Sequence, residues 1–168
     1  LMVLAANRDA ATDLRDELAI AYQGVTPGPL ARTASSLAFG VLRHRALRLG
    51  QKPPELLTGA EQDRMLAELI TEAVADGSID AFDGSVKAAV FELNGFRIEL
   101  RDLITVCQEH SVDPEQLRAL AKKFEVSREG GAKAARGQWL GAAEVYEKYL
   151  ARLASGENAH RFDPTQVL

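Results

Sequence analysis

Small hydroxyl side chains and arginines are concentrated in one stretch of the chain, residues 31–48, ARTASSLAFGVLRHRALR. Apolar residues at helical spacing after its polar turn predict an amphipathic helix, with Ser35 or Ser36 as the N-cap. Three arginines, beginning with Arg43, load the far half of this helix with positive charge. Hydroxyls at a helix N-terminus with basic residues nearby suit phosphate binding, and a capped helix with a solvated basic face is the alternative.

Length and composition predict one ordinary domain or slightly more. The chain has 168 residues, of which 46% are hydrophobic, and a formal net charge of −4. That hydrophobic fraction supports a packed core, and the mildly acidic charge means that any basic site must be local. The single cysteine, Cys107, excludes an internal disulfide framework and suits a reducing compartment. No segment is apolar enough to predict a membrane span.

The first 52 residues have the pattern of a strand–helix–strand unit. Met2–Ala6 has the length and apolar character of a buried strand. A helix is predicted over Ala10–Tyr22 with Asp9 as its cap, and Leu30–Thr33 is the second predicted strand. Such a unit implies a parallel sheet, which needs further strands and cover on both faces. The rest of the sequence does not supply them, so we expect this segment to be part of a larger α/β domain.

The pattern becomes helical after Gly50, and Pro53-Pro54 marks the predicted domain boundary. Thr58 and Glu61 have the spacing of a capping box. The helical stretches predicted after it are Thr58–Ala75, Val86–Leu93, Phe96–Glu109, one that begins at Asp113-Pro114, and Ala134–Leu153. The predicted connections between them include a polar segment over Gly77–Gly84 and a turn over Ser127–Gly131. The residues of the first helix predicted to face inward are Met65, Leu66, Leu69, Ile70 and Ala73.

No constellation in the sequence predicts catalysis or metal binding. Gly130–Lys133 lacks both the spacing and the preceding strand of a phosphate-binding loop. The three histidines are scattered, and Cys107 on an apolar face is interpreted as a core residue rather than a nucleophile. Trp139 has a ring that can stack on bases, but core packing is the favoured interpretation. We therefore predict no catalytic, cofactor-binding or metal-binding residue in this chain.

Four segments, taken in order, resemble UvrD/Rep-like superfamily I DNA helicases. VLAANRDAATDLRDEL is similar to the family's Ia motif, and RTASSLAFGVLR is similar to its Ib motif. LLTGAEQDRML resembles the start of the family's helical 1B subdomain, and NGFRIELRDLITVCQEHSVDPEQL is most similar to the 1B region of AdnAB-like helicase–nucleases. The chain departs from the family at two positions: Asp9 stands where the Ia motif has lysine, and Ser35 where the Ib motif has histidine.

The resemblance implies a mainly α architecture built from parts of a larger motor. Residues 1–52 would be a partial RecA-like 1A segment with motifs Ia and Ib, residues 53–154 a helical 1B-like subdomain, and residues 155–168 a tail that leads back towards 1A. The implied parent is a cytoplasmic, ATP-dependent DNA helicase that acts in DNA repair or recombination. Its ATP and Mg²⁺ would bind outside this segment, so the segment alone is expected to be inactive.

The resemblance also implies contacts with single-stranded DNA and with the duplex junction. The residues that the motifs and the side-chain chemistry assign to DNA are Asn7, Arg8, Thr33, Ser35, Ser36 and Arg43. Because the two turns follow neighbouring parallel strands, we expect them to open at the same edge of the sheet. Other implied partners are the rest of the helicase chain and, in the helicase–nuclease subgroup, a second subunit. The alternative is a helical protein–protein interaction module without a nucleic-acid role.

Overall fold

The computed structural model describes residues 2–22, 24–123 and 130–164. The chain divides into two compact units, one that ends at Glu55 and one that begins at Leu56. Across the described residues the fold is mainly α, as predicted. None of the helices in these ranges combines the length and the apolar character that crossing a membrane requires.

The first unit contains the predicted strand–helix–strand segment followed by a second helix. Its elements are β1 (Val3–Ala5), α1 (Arg8–Ala21), β2 (Ala31–Thr33) and α2 (Ala34–Arg48). The two strands are parallel, with Val3 opposite Ala31 and Ala5 opposite Thr33. Both strands are shorter than predicted. Helix α1 begins two residues earlier than predicted, because Asn7 rather than Asp9 is its N-cap.

Alanines make the contact between α1 and the sheet. Ala11 of α1 is buried, as are Ala5 and Ala31 on the strands. Successive side chains of a strand point to opposite faces, so Leu4 and Arg32, which are paired in the ladder, lie on the other face. Leu4 is 55% exposed there. The first unit therefore covers one face of its sheet with α1 and leaves much of the other face accessible.

The second unit is a group of helices closed by a short two-stranded sheet. Its elements are β3 (Glu55–Leu56), α3 (Gly59–Asp76), a 3₁₀ helix (Ser78–Phe82), α4 (Ala88–Phe91), α5 (Asn94–Glu109), α6 (Pro114–Lys123), α7 (Gly130–Ala154), a second 3₁₀ helix (Gly156–Asn158) and β4 (Arg161–Phe162). Strand β3 pairs with β4. Helices α3 and α6 and the first 3₁₀ helix all contact α7, and α5 contacts α3. Helix α7 is therefore the element around which the unit is assembled.

The core of the second unit contains the residues that helical spacing predicts for α3. All five predicted inward residues are buried: Met65, Leu66, Leu69, Ile70 and Ala73. The four larger ones, Met65, Leu66, Leu69 and Ile70, belong to one cluster with Val145 and Tyr149 of α7 and Leu100 of α5. Trp139 is partly buried against the same cluster, which agrees with the core-packing interpretation. The 3.6-residue period of the sequence therefore identifies the inner face of this helix correctly.

The helical stretch predicted over Val86–Leu93 is wrong in length. Only Ala88–Phe91 is helical, and the break before α5 falls at Leu93, whose backbone is extended, rather than at Gly95. Gly95 lies in the first turn of α5 with helical geometry. Glycine tolerates many conformations, so its presence does not by itself locate a helix end.

Helix α7 begins earlier than predicted. The prediction starts the helix at Ala134 after a turn over Ser127–Gly131, but Gly130 and Gly131 are already helical. The low intrinsic helix propensity of glycine is therefore outweighed here. The remainder of the predicted turn, residues 127–129, lies outside the described residues.

The segment after α3, predicted as a polar connection that holds Ile79 and Phe82, forms a 3₁₀ helix that packs on α7. Phe82 in the first 3₁₀ helix is 3% exposed, and its ring meets Phe91 and Phe96 edge-on at centroid distances of 5.2 and 5.8 Å. A Cβ atom on Gly141 would lie less than 3.0 Å from the Phe82 ring. A Cβ atom on Gly137, one turn earlier, would collide with the Phe82 carbonyl oxygen. The two glycines form the groove in α7 that accommodates Phe82.

The two ends of the second unit meet. The backbone N–H of Leu57 donates to the carbonyl of Phe162 at 2.9 Å. The Asp163 carboxylate, 2% exposed, accepts hydrogen bonds from the Gln62 amide at 2.8 Å and the Tyr149 hydroxyl at 2.7 Å. These contacts attach the segment after β4 to α3 and α7.

The capping box of α3 leads to a prediction about acid stability. Glu61 Oε2 accepts from the Thr58 backbone N–H at 2.8 Å, and Thr58 Oγ1 accepts from the Glu61 N–H at 3.3 Å. The Thr58 N–H, with help from its hydroxyl and from Arg161, lowers the pKa of Glu61 to about 2. A pKa below the ordinary value of 4.5 gives a contribution to stability that is present above that pH and is lost as the pH falls towards 2. Glu61→Gln keeps the acceptor oxygen but cannot titrate.

We therefore expect Glu61→Gln to lose less stability than the wild type on acidification through this window. Urea midpoints at neutral pH and between pH 4.5 and 2 measure the difference. Glu99→Gln, an exposed position on α5, is the matched control and should keep the wild-type pH slope. Equal slopes for the wild type and Glu61→Gln would contradict the prediction.

Candidate nucleic-acid interface

Two helices begin at the same end of the β1–β2 sheet. Helix α1 begins at Arg8, shortly after β1, and α2 begins directly after β2. Because the parallel ladder places Ala5 opposite Thr33, both helix N-termini lie at the carboxyl edge of the sheet, which we call the strand-end edge. Each N-terminus carries a partial positive charge of about half a unit. Two of them at one edge favour an anion.

Side chains cap both helices but leave backbone donors for a ligand. Asn7 Oδ1 accepts from the Ala10 N–H at 2.8 Å, and Thr33 Oγ1 accepts from the Ser36 N–H at 3.2 Å. In each helix the cap satisfies the third N–H group. The first two N–H groups of a helix have no intrahelical partner, so they can donate to a phosphate.

The predicted caps of both helices are wrong by two or three residues. Ser35 and Ser36 lie inside the first turn of α2, and Asp9 lies inside the first turn of α1. A cap must have an extended backbone just before the first helical residue, so that its side chain reaches back to the third N–H. Thr33, with ψ 159°, and Asn7, with ψ 177°, meet this requirement.

Five of the six predicted DNA-binding residues belong to the two caps and first turns at the strand-end edge. They are Asn7, Arg8, Thr33, Ser35 and Ser36. The sixth, Arg43, is exposed but lies ten positions beyond Thr33 on α2. At 1.5 Å of rise per residue, that separation is about 15 Å along the helix axis. Arg43 therefore cannot share one phosphate with the caps and would meet a different one.

The first unit has a net positive charge although the whole chain is acidic. The first 55 residues contain seven Lys and Arg against five Asp and Glu, and the remaining residues contain thirteen against nineteen. Residues 31–52 contain five Lys and Arg and no acidic residue. Asp9 is an acidic residue at the strand-end edge, in the first turn of α1. Its carboxylate would compete with a phosphate for the helix N-terminus.

Sequence reasoning missed Arg32. This residue lies on β2, is partly buried, and places its guanidinium beside Gly28 and Gly40. Within the described residues no hydrogen bond or ion pair joins it to another side chain or to the backbone. The sequence contains no signal for this arrangement, because Gly28 and Gly40 become neighbours of Arg32 only when β2, α2 and the loop before β2 are assembled.

The helicase resemblance implies that ATP and Mg²⁺ bind outside this segment. Among the described residues no group of three or more His, Cys, Asp or Glu side chains is placed to hold a metal ion. The sequence also lacks the glycine-rich loop with a following lysine that cradles nucleotide phosphates. No protein-family model matches the chain, and no curated protein matches its sequence. The function of the chain must therefore be argued from its own residues.

Proposed function

We propose that this chain is the DNA-binding portion of a UvrD/Rep-like superfamily I helicase or translocase, and that the strand-end edge holds single-stranded DNA by its phosphates. In this proposal the first unit is the edge of a RecA-like 1A domain and the second is the 1B subdomain. The parent protein binds ATP and Mg²⁺ through other segments and acts in cytoplasmic DNA repair or recombination. The duplex junction, the rest of the helicase chain and a second helicase–nuclease subunit are its further partners.

The observation that carries the proposal is the pair of capped helix N-termini at one edge of a parallel sheet. Their unpaired N–H groups and the hydroxyls of Ser35 and Ser36 donate to phosphate oxygens without reading a base. Arg8 adds a cation at the same edge, and Arg43 adds one farther along α2. Donors spread in this way match a phosphodiester chain better than one compact anion, and they predict binding that is independent of sequence.

The closure of the second unit supports its assignment as an inserted subdomain. The segment at Leu57 and the segment at Phe162 are joined by a backbone hydrogen bond, and Asp163 ties the second of them to α3 and α7. A unit whose two ends lie together can be inserted into another domain without disturbing either fold. The helical unit of this chain has that property.

The proposal predicts how binding to an oligothymidylate depends on salt. Replacing Arg8 and Arg43 together with Ala should weaken binding and reduce the slope of log K against log salt by up to about 1.4, if each arginine neutralises one phosphate. Affinity for the wild type is expected in the non-specific range of about 10⁻⁴–10⁻⁶ M. Fluorescence anisotropy of a labelled oligonucleotide over a salt series measures both quantities.

Lys122→Ala with Lys123→Ala is the matched control, because it removes two exposed cations from α6 in the acidic second unit. This control should keep the wild-type salt slope. If the Arg8/Arg43 variant binds like the wild type, or if both double variants lose affinity equally, the strand-end edge does not hold DNA. The interaction-module alternative then replaces the proposal.

Replacing Asp9 is expected to strengthen oligonucleotide binding, whereas replacing the arginines weakens it. Asp9→Asn removes the acidic side chain from the first turn of α1, so binding of the same oligonucleotide at low salt should tighten by about two- to fivefold. Asp13→Asn, one turn farther along α1 and also exposed, is the control and should change affinity less. A weaker or unchanged affinity for Asp9→Asn would contradict the proposed path of the phosphates.

A further inference from the structure

The first unit contains a pocket at the other end of its sheet from the strand-end edge. The pocket has a volume of about 490 Å³, within the usual range for small-molecule sites. Its walls come from the start of β1, the end of α1 and the loop before β2, and are mostly apolar. Its lining includes Tyr22, Pro27, Leu30 and Arg32.

Two glycines make room for the guanidinium of Arg32 beside this pocket. A Cβ atom on Gly28 would lie 3.2 Å from Arg32 Nη2, and one on Gly40 would lie 3.2 Å from Arg32 Nη1. Neither glycine has a positive φ, so the backbone does not require glycine at either position. Space for the guanidinium is therefore what the missing side chains provide, and the two terminal nitrogens are held between the loop and α2.

The guanidinium has no counter-charge in the part of the chain that the structure describes. Three arginines of the second unit, in contrast, form ion pairs with carboxylates. The pairs are Arg97–Asp63, Arg118–Glu144 and Arg152–Glu72. Arg32 is partly buried like these three, yet no carboxylate or carbonyl within the described residues accepts a hydrogen bond from it. A guanidinium presents a planar fork of donors that matches the oxygens of a phosphate or carboxylate.

Tyr22 also lines the pocket and supplies a flat surface. Its ring packs over Gly24, where a Cβ atom would lie 2.7 Å from Cε1, and the residue is 55% exposed. An aromatic ring with an accessible face stacks on a nucleobase regardless of which base it is. Pro27 and Leu30 add apolar surface beside it. The pocket thus joins an anion-binding group to a stacking surface.

We propose that this pocket binds one nucleotide, with its phosphate at Arg32 and its base against Tyr22. The inference rests on the proposed function, because a strand bound at the strand-end edge supplies the nucleotide. Strand β2 carries both sites: Arg32 lines the pocket, and the next residue, Thr33, caps α2 at the edge. A free nucleoside monophosphate carries the same phosphate and base as a nucleotide of the strand, so it serves as a probe for the pocket alone.

The test is an NMR titration of the whole chain with thymidine 5′-monophosphate and, separately, with inorganic phosphate. Arg32→Gln should weaken binding of the monophosphate by about tenfold to a hundredfold, the usual loss for a charged hydrogen bond. Arg15→Gln removes an exposed cation whose guanidinium bonds to the Ala11 carbonyl of its own helix, so it should leave binding unchanged. Tyr22→Leu should weaken the monophosphate but not inorganic phosphate.

Three outcomes overturn the inference: unchanged affinity for Arg32→Gln, equal losses for Arg32→Gln and Arg15→Gln, or a wild type that binds inorganic phosphate as tightly as the monophosphate. Failure of the proposed function looks different. In that case the Arg8/Arg43 double variant keeps wild-type oligonucleotide binding, whereas Arg32→Gln still loses the monophosphate. If instead the double variant loses oligonucleotide binding and Arg32→Gln keeps the monophosphate, the edge binds DNA and the pocket does not.

Discussion

Gly141→Ala is expected to destabilise the second unit by about 3 kcal/mol or more. The new Cβ would lie less than 3.0 Å from three ring carbons of Phe82. That ring cannot move aside easily, because Phe91 and Phe96 contact it edge-on. Either the ring stays and α7 is pushed away, or Phe82 leaves its buried position and loses the stabilisation of its burial. Urea unfolding followed by the helical circular dichroism signal measures the loss.

Gly95→Ala is the matched control for this substitution. Gly95 lies in the first turn of α5, and its Cβ would have no atom within 4 Å, so the effect should lie between zero and a gain of about 1 kcal/mol. A double-mutant cycle isolates the contact. Gly141→Ala should cost clearly less in a Phe82→Ala background, and strictly additive effects would show that the Phe82 ring is not the cause.

Asp163→Ala is the second substitution with a large expected effect, about 3 kcal/mol. The carboxylate accepts from Gln62 and Tyr149, and both Asp163 and Tyr149 are 2% exposed. Removing it leaves a partly buried amide and a buried hydroxyl without this acceptor. Asp163→Asn keeps one acceptor oxygen and should cost less. The free energy of unfolding from urea titration ranks the variants, and faster amide exchange at Leu57 should report release of the chain end.

Asp102→Asn, an exposed carboxylate on α5, is the control and should stay within about 0.5 kcal/mol of the wild type.

Tyr149→Phe tests the same cluster by removing the hydroxyl that donates to Asp163. Burial, followed by the Asp163 carboxylate, raises the pKa of Tyr149 above its ordinary value. The wild type should therefore lose stability as the pH rises above about 10, and Tyr149→Phe should lose less. An Asp163→Ala variant as stable as Asp102→Asn would show that the cluster does not stabilise the fold.

Several features that depend on residues close together in the chain were predictable from the sequence. The Thr58–Glu61 capping box is present, and the inner face of α3 is the predicted one. Asp113 accepts from the Gln116 N–H at 2.7 Å, and α6 begins at Pro114 as predicted. The parallel pairing of β1 with β2 follows from the strand–helix–strand pattern. Each of these features is decided by residues a few positions apart, so the order of residue types contains the needed information.

The candidate DNA interface was predictable only in part. The motifs identify five residues that the register of β1 on β2 brings to one edge. They do not identify the caps, because whether Thr33 or Ser35 precedes the helix depends on where the strand ends. They also group Arg43 with the caps, although the rise of an α-helix separates it from Thr33 by about 15 Å.

The remaining features were decided by the tertiary structure alone. Phe82 lies in a groove that Gly137 and Gly141 leave in α7, and Gln62 meets Asp163 across 101 positions of sequence. Arg32 lies between two glycines that belong to different elements. In each case, contact between residues far apart in the chain depends on how the helices and strands pack. The order of residue types determined the long helices and the inner face of α3, because those are local properties, whereas the packed fold determined which distant side chains come into contact.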